Sequence, residues 1–221
     1  MYKKISYNEI ASYLKSIKNI KTKDLDIYSK ELIKNKKDVS ELKYYVLKDQ
    51  LVHRIYFQVS LAYLNTIEEQ LKFIEENKEL LDDWWHVDQL IQFLRKKVCP
   101  KGSFINFDYV FNKTKEYINS PLPFFRRFGY VIYLCGLQKD KKHSEEILSL
   151  IKDDSEYYVQ MAEAWLVADI GVFNIEAVKK FIEETNIDYN IIGKAIQKLS
   201  DSFRIKKEDK EYLKRLRNKK R

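Results

Sequence analysis

The sequence predicts an all-α chain, a right-handed solenoid of antiparallel helix pairs in one domain spanning residues 1–221, with no β-sheet. Three observations predict it. Apolar residues recur at helical spacing almost throughout. The chain carries only 5 Gly and 3 Pro, where average usage would give roughly 26 in all, so tight turns are scarce and sandwiches, barrels and Gly-rich phosphate folds are disfavoured. In the second half, helix pairs run 84–118, 123–151 and 155–184, and a fourth begins at 189. Their starts lie 39, 32 and 34 residues apart, close to the period of two-helix solenoid repeats.

The elements follow in order. Ser6 precedes a helix over 6–17 with Glu9 three residues on, the spacing of a capping box. Tyr7, Ile10, Ala11, Leu14 and Ile17 form its apolar stripe. Further helices are read at 24–35, 39–47, 49–64 (Ile55, Val59, Ala62, Tyr63), 67–76 and 84–98 (Leu90, Ile91, Leu94, Val98). Then come 105–118, 123–137, 143–151, 155–170, 174–184, 189–201 and 206–217, with Asp154 and Asp188 placed before two of them. Connections are mostly two to six residues. The longest non-helical stretch is Cys99 to Ser103.

Composition narrows the function. With 45% hydrophobic and 33% charged residues the chain can bury a sizeable core and is too apolar for disorder. It has no run of about 18 uncharged apolar residues. Its first residues lack the apolar stretch of a signal peptide. With two cysteines, Cys99 and Cys135, the expected compartment is the reducing cytoplasm. The net charge of +8 sits at the ends. Residues 1–50 carry +5, 51–150 carry +1, 151–203 carry −5 and 204–221 carry +7. Basic ends attract phosphate polyanions, or simply complement a helix C-terminus. There is no Gly-rich phosphate loop, no GxSxG and no HExxH. His53, His86 and His143 have no ligand spacing with the cysteines. Most nucleotide hydrolases, serine hydrolases and zinc enzymes are thereby excluded.

Three sites stand out. Asp82-Asp83-Trp84-Trp85-His86-Val87-Asp88 opens a helix, with Trp84 and Asp88 one turn apart on one face; core packing and dipole complement are the alternative reading. In Pro123-Phe124-Phe125-Arg126-Arg127-Phe128, a helical wheel makes Phe124, Phe128, Val131, Ile132 and Cys135 the buried stripe. Arg126 falls in solvent and Arg127 at the stripe's edge. Arg127 is then a cation aimed out of a groove, or a stem lying over the core. Trp165 sits centrally in an apolar helix one turn before Asp169, where a core Trp is the alternative. Trp84 to Arg127 is 43 residues and Arg127 to Trp165 is 38. In a solenoid such positions align along one surface, so two tryptophans, one aspartate and one arginine would face a single concave groove. Aromatic faces and a carboxylate suit a cation; an arginine suits phosphate.

On these residues the chain resembles the bacterial DNA alkylation repair family, the AlkD-like DNA glycosylases built of HEAT-like repeats. The family's tryptophan–x–x–x–aspartate matches Trp84 to Asp88, with Trp85 an alternative to Trp84. Its arginine matches Arg127 in Arg127-Phe128-Gly129-Tyr130-Val131, and its second tryptophan matches Trp165. The stretch Asn190 to Leu199 with Ser202-Phe203-Arg204-Ile205 is also typical. The resemblance implies excision of cationic alkylated purines, such as 3-methyladenine and 7-methylguanine, from duplex DNA without deep base flipping. Asp88, Trp84 and Trp165 would be catalytic and Arg127 would bind DNA, in a monomer needing no cofactor. The family also implies an alternative, a non-catalytic DNA-binding solenoid of the same fold.

Overall fold

The computed structural model describes residues 2–220. It is all-α apart from one two-residue parallel ladder, β1 (Lys3–Lys4) on β2 (Lys37–Asp38). Its contacts gather into two compact units, residues 1–94 and 95–221.

The first unit holds α1 (Tyr7–Ser16), α2 (Thr22–Lys34), α3 (Gln50–Ala62), α4 (Ile67–Glu76) and α5 (Trp84–Asp88). It also holds the start of α6 (Leu90–Val98). The capping box forms: Ser6 Oγ accepts from the Glu9 N–H while the Glu9 carboxylate accepts from the Ser6 N–H. Asp49 caps α3 and Thr66 caps α4 by the same physics, each satisfying N–H groups that a helix start leaves unpaired. α3 is the central helix, packing on α2 and on the 3-10 turn Ser40–Tyr44. Val52, Ile55, Phe57 and Val59 are fully buried.

The second unit continues with α7 (Phe107–Tyr117), α8 (Pro123–Val131), α9 (Ser144–Leu148), α10 (Tyr157–Phe173), α11 (Ile175–Glu184), α12 (Tyr189–Asp201) and α13 (Lys207–Lys220). α10 packs on α8, α11 and α12, while α11 packs on α9 and α13. One row is therefore α8–α10–α12 and the other α9–α11–α13, the two-layer arrangement of a helical repeat. α10 is apolar around most of its circumference because it is covered on three sides; Val159, Ala162, Leu166, Val167 and Ile170 are all buried. Asn174 alone separates α10 from α11. Its N–H donates to Ile170 O and its side chain accepts from the Ala177 N–H.

Several expected boundaries move. The expected 39–47 helix is a 3-10 turn. The expected 84–98 helix breaks at Gln89 into α5 and α6. The expected 123–137 helix tightens into 3-10 geometry over Ile132–Cys135. There the chain turns at Gly136, whose φ of 142° no side chain adopts without strain, and where a Cβ would stand only 3.0 Å from Cys99 Sγ. Asp154 is not the helix cap; it has a different partner, described below.

Candidate functional site

In the first unit, Trp84 and Asp88 share α5, a helix of one and a half turns. Asp83 caps it through the Trp85 N–H at 3.2 Å. Trp84 is 45% exposed. Trp85 is half-buried and tilts against His86 and His53. Trp84 is thus the tryptophan that offers a ring to solvent, on the same face as the half-buried Asp88.

The short helix rests on a buried polar network that the sequence did not reveal. Gln89, where the helix breaks, donates from Nε2 to His53 Nδ1 at 2.7 Å. It accepts at Oε1 from Arg54 Nη1 at 3.2 Å. Because His53 Nδ1 accepts, its proton sits on Nε2 and donates to Leu80 O at 3.2 Å. Arg54, 2% exposed, also binds Asp26 through Nε and Nη2 and Gln92 through Nη2. His86 stacks on His53 with ring centroids 3.6 Å apart and 5° between planes. Asp82 Oδ1 lies 2.6 Å from His86 Nδ1. Burial pushes His53 down to about 2, with the neighbouring His86 ring adding to it. Burial also lowers His86, opposed by Asp82. Two uncharged rings can stack so closely; two imidazolium ions would repel.

In the second unit, Pro123 at the first position of α8 suits a helix start. The buried stripe includes Phe125 and Phe128, with Phe124 half-buried against Tyr158. Both arginines are held by protein partners. Arg126 is not solvated: it forms a two-pronged pair with Asp154, Nε to Oδ2 at 2.7 Å and Nη2 to Oδ1 at 3.0 Å. It also donates to Ser120 O and Pro121 O. Arg127 does not point out of a groove. It is 4% exposed, and its Nη1 donates to the backbone carbonyl of Tyr158 at 2.5 Å. That bond ties α8 to the first turn of α10.

Trp165, half-buried, lies two turns further along α10. Two residues before it, Glu163 is fully buried. Its Oε1 accepts from the Lys152 N–H at 3.2 Å. Its Oε2 has no hydrogen bond of good geometry, although the Tyr130 hydroxyl lies beside it and itself donates to Leu150 O. Burial pushes the Glu163 carboxyl up to about 7, against the pull of these two donors. One turn after Trp165, Asp169 accepts from Gln138 Nε2 at 2.9 Å.

The basic end is an ordered helix. α13 buries Leu213 and Leu216 and is pinned by Lys179 to Asp209 at 2.6 Å. Arg217 Nε donates to the Tyr189 hydroxyl, and with Lys214 and Asn218 they line a cavity of about 530 Å³. Among the described residues no group of three or more His, Cys, Asp or Glu is placed to hold a metal ion, and no helix is long and apolar enough to cross a membrane. Cys99 and Cys135 form no disulfide, and burial raises both thiols, which makes them poor nucleophiles.

Thus the structure brings Trp84 and Asp88 together on one helix of the first unit, and places Arg127 and Trp165 on neighbouring helices of the second. The Gln89–His53–Arg54 network and Glu163 escaped the sequence reading because each depends on partners many residues away. An interior Glu beside an apolar run was the one available signal. No curated protein and no solved structure matches the chain. A family model described as DNA alkylation repair enzyme matches residues 7–202. That match reaches into both units and takes in Trp84, Trp85, Trp165, Asp88 and Arg127, and the chain belongs to the DNA alkylation repair enzyme family.

Proposed function

We propose that this protein hydrolyses the N-glycosidic bond of cationic alkylated purines in duplex DNA. The observation that carries the reading is α5, where an exposed indole and a carboxylate share one face of a helix held from beneath by a buried network. In the reaction the bond from the sugar carbon to the base nitrogen breaks. Its electron pair neutralises the alkylated base, which leaves without protonation. Water adds to the oxocarbenium-like sugar carbon and loses a proton. Asp88 stabilises the developing positive charge and orients that water. Trp84 and Trp165 offer ring faces to a cationic nucleotide, each contributing roughly 0.5–2 kcal/mol. Arg127 would reach a phosphate only by giving up its bond to the Tyr158 carbonyl. No cofactor takes part, and duplex DNA carrying an alkylated base is the partner of a cytoplasmic monomer.

A second reading, a non-catalytic DNA-binding member of the family, is favoured by one observation. Arg127 already gives a hydrogen bond to Tyr158 O, and a phosphate has to compete for it. Release of free 7-methylguanine from methylated duplex in single-turnover conditions separates the two. The wild-type chain should release it, and Asp88→Asn should slow release by roughly 10²–10³-fold, as for other lost electrostatic stabilisers, with DNA affinity kept. DNA binding without base release by the wild-type chain would establish the second reading. Release at the wild-type rate by Asp88→Asn would remove Asp88 from the chemistry.

A further inference from the structure

The loop between α12 and α13 carries the most exposed large hydrophobic side chain among the described residues. Phe203 is 103% exposed. The loop around it is nevertheless built. Ser202 N–H donates to Leu199 O, Ser202 Oγ accepts from the Arg204 N–H at 3.3 Å, and Ile205 is buried. The chain therefore buries Ile205 and turns Phe203 outward two residues earlier, although a phenyl ring in water is unfavourable.

Arg204 stands beside it. Its side chain is 61% exposed and its Nη2 lies 3.9 Å from Asp169 Oδ1, a loose pair. Its guanidinium sits over the Phe173 ring at 5.7 Å, and Lys139 Nζ sits over the same ring at 5.6 Å. Asp169 is one turn from Trp165, so this group marks the C-terminal end of the α10 face that holds Trp165. An outward aromatic flanked by loosely held cations, at the head of a segment with a charge of +7, does not suit an apolar peptide. It suits a polyanion that also presents π-faces.

We propose that Phe203 and Arg204 form a DNA contact of the second unit, in which Phe203 stacks on the base beside a base-free position and Arg204 takes a neighbouring phosphate. This rests on the DNA repair reading, because excision of a purine leaves a gap in the stack that an aromatic ring can fill. Phosphate competes with Asp169 for Arg204, and Asp169 keeps its hydrogen bond from Gln138 when Arg204 leaves.

The test is a fluorescence titration of the full chain against a duplex with a tetrahydrofuran abasic analogue next to 2-aminopurine, over a range of salt. The wild-type chain should bind and change the 2-aminopurine signal. Phe203→Ala should bind roughly tenfold more weakly, lose that signal change and keep the salt slope. Arg204→Ala should flatten the slope of log K against log salt by about 0.9, while Arg204→Lys restores it. Thermal melts unchanged from wild type show that both variants are folded, as expected for side chains so exposed. Wild-type affinity and slope in both Phe203→Ala and Arg204→Ala would overturn the proposal and leave the repair reading standing. Absence of any salt-dependent DNA binding by the wild-type chain would overturn both.

Discussion

Replacing Glu163 by Gln should make the protein more stable at pH 8 and leave it nearly unchanged at pH 5. The carboxyl rises from 4.5 to about 7 because it is fully buried. Between those two values the native state holds a proton that the unfolded chain has lost. The stabilisation from this group is therefore complete below 4.5, falls as pH rises and is gone above about 7. At 1.36 kcal/mol for each unit, the charged form costs about 3 kcal/mol at pH 8. Glutamine keeps an oxygen for the Lys152 N–H and sets an N–H where Oε2 now lacks a partner, facing the Tyr130 oxygen. At 2–4 °C for each kcal/mol in a chain of this size, the variant should melt roughly 6–12 °C above wild type at pH 8. The assay is paired calorimetry from pH 5 to pH 8.5. A difference in melting temperature that is constant with pH would mean that Glu163 does not titrate in that window, and would refute the reasoning.

Three other changes probe other links. Gly129→Ala should destabilise by about 1–3 kcal/mol in a thermal melt, since its Cβ would stand 2.8 Å from Ile118 Cγ2 and 3.2 Å from Tyr117 Cβ. Gln89→Leu should lower stability by about 2–4 kcal/mol by denaturant unfolding, because it strips partners from both Arg54 and His53; base release should fall with it if α5 loses its seat. Arg127→Gln should flatten the salt slope of DNA binding by about 0.9, whereas a lowered melting temperature with an unchanged slope would confine Arg127 to its bond with Tyr158.

The ends of helices were legible from the sequence where the signal is local. Ser6 with Glu9, and Asp188 before α12, use side chains that reach backbone three residues away or less. The errors arose where partners are distant. A wheel drawn over 123–137 assumes one regular period. The chain instead tightens after Val131, and Phe125 rather than Phe124 goes inside. That wheel separates Arg126 from Arg127, yet Asp154 and the Tyr158 carbonyl decide where each guanidinium goes. The β1–β2 ladder joins Lys3–Lys4 to Lys37–Asp38, which carry no apolar alternation to announce a strand. For the site, Trp84 and Asp88 were visible as an i, i+4 pair. That Trp84 rather than Trp85 faces solvent follows from His53 and His86, whose stacking no spacing encodes.

The chain of hydrogen bonds under α5 has a direction. Arg54 can only give, Gln89 receives on its oxygen and gives from its nitrogen, His53 receives and gives again, and Leu80 O can only receive. One orientation of the Gln89 amide and one tautomer of His53 satisfy it, so neither group is free to flip. A glutamate at position 89 matches glutamine in shape and still answers Arg54. It has no proton to offer His53, so the imidazole has to place its own proton on Nδ1 and leave Leu80 O empty, or carry a second proton against the face of His86. The polarity of the chain, more than its geometry, is what makes position 89 selective for an amide.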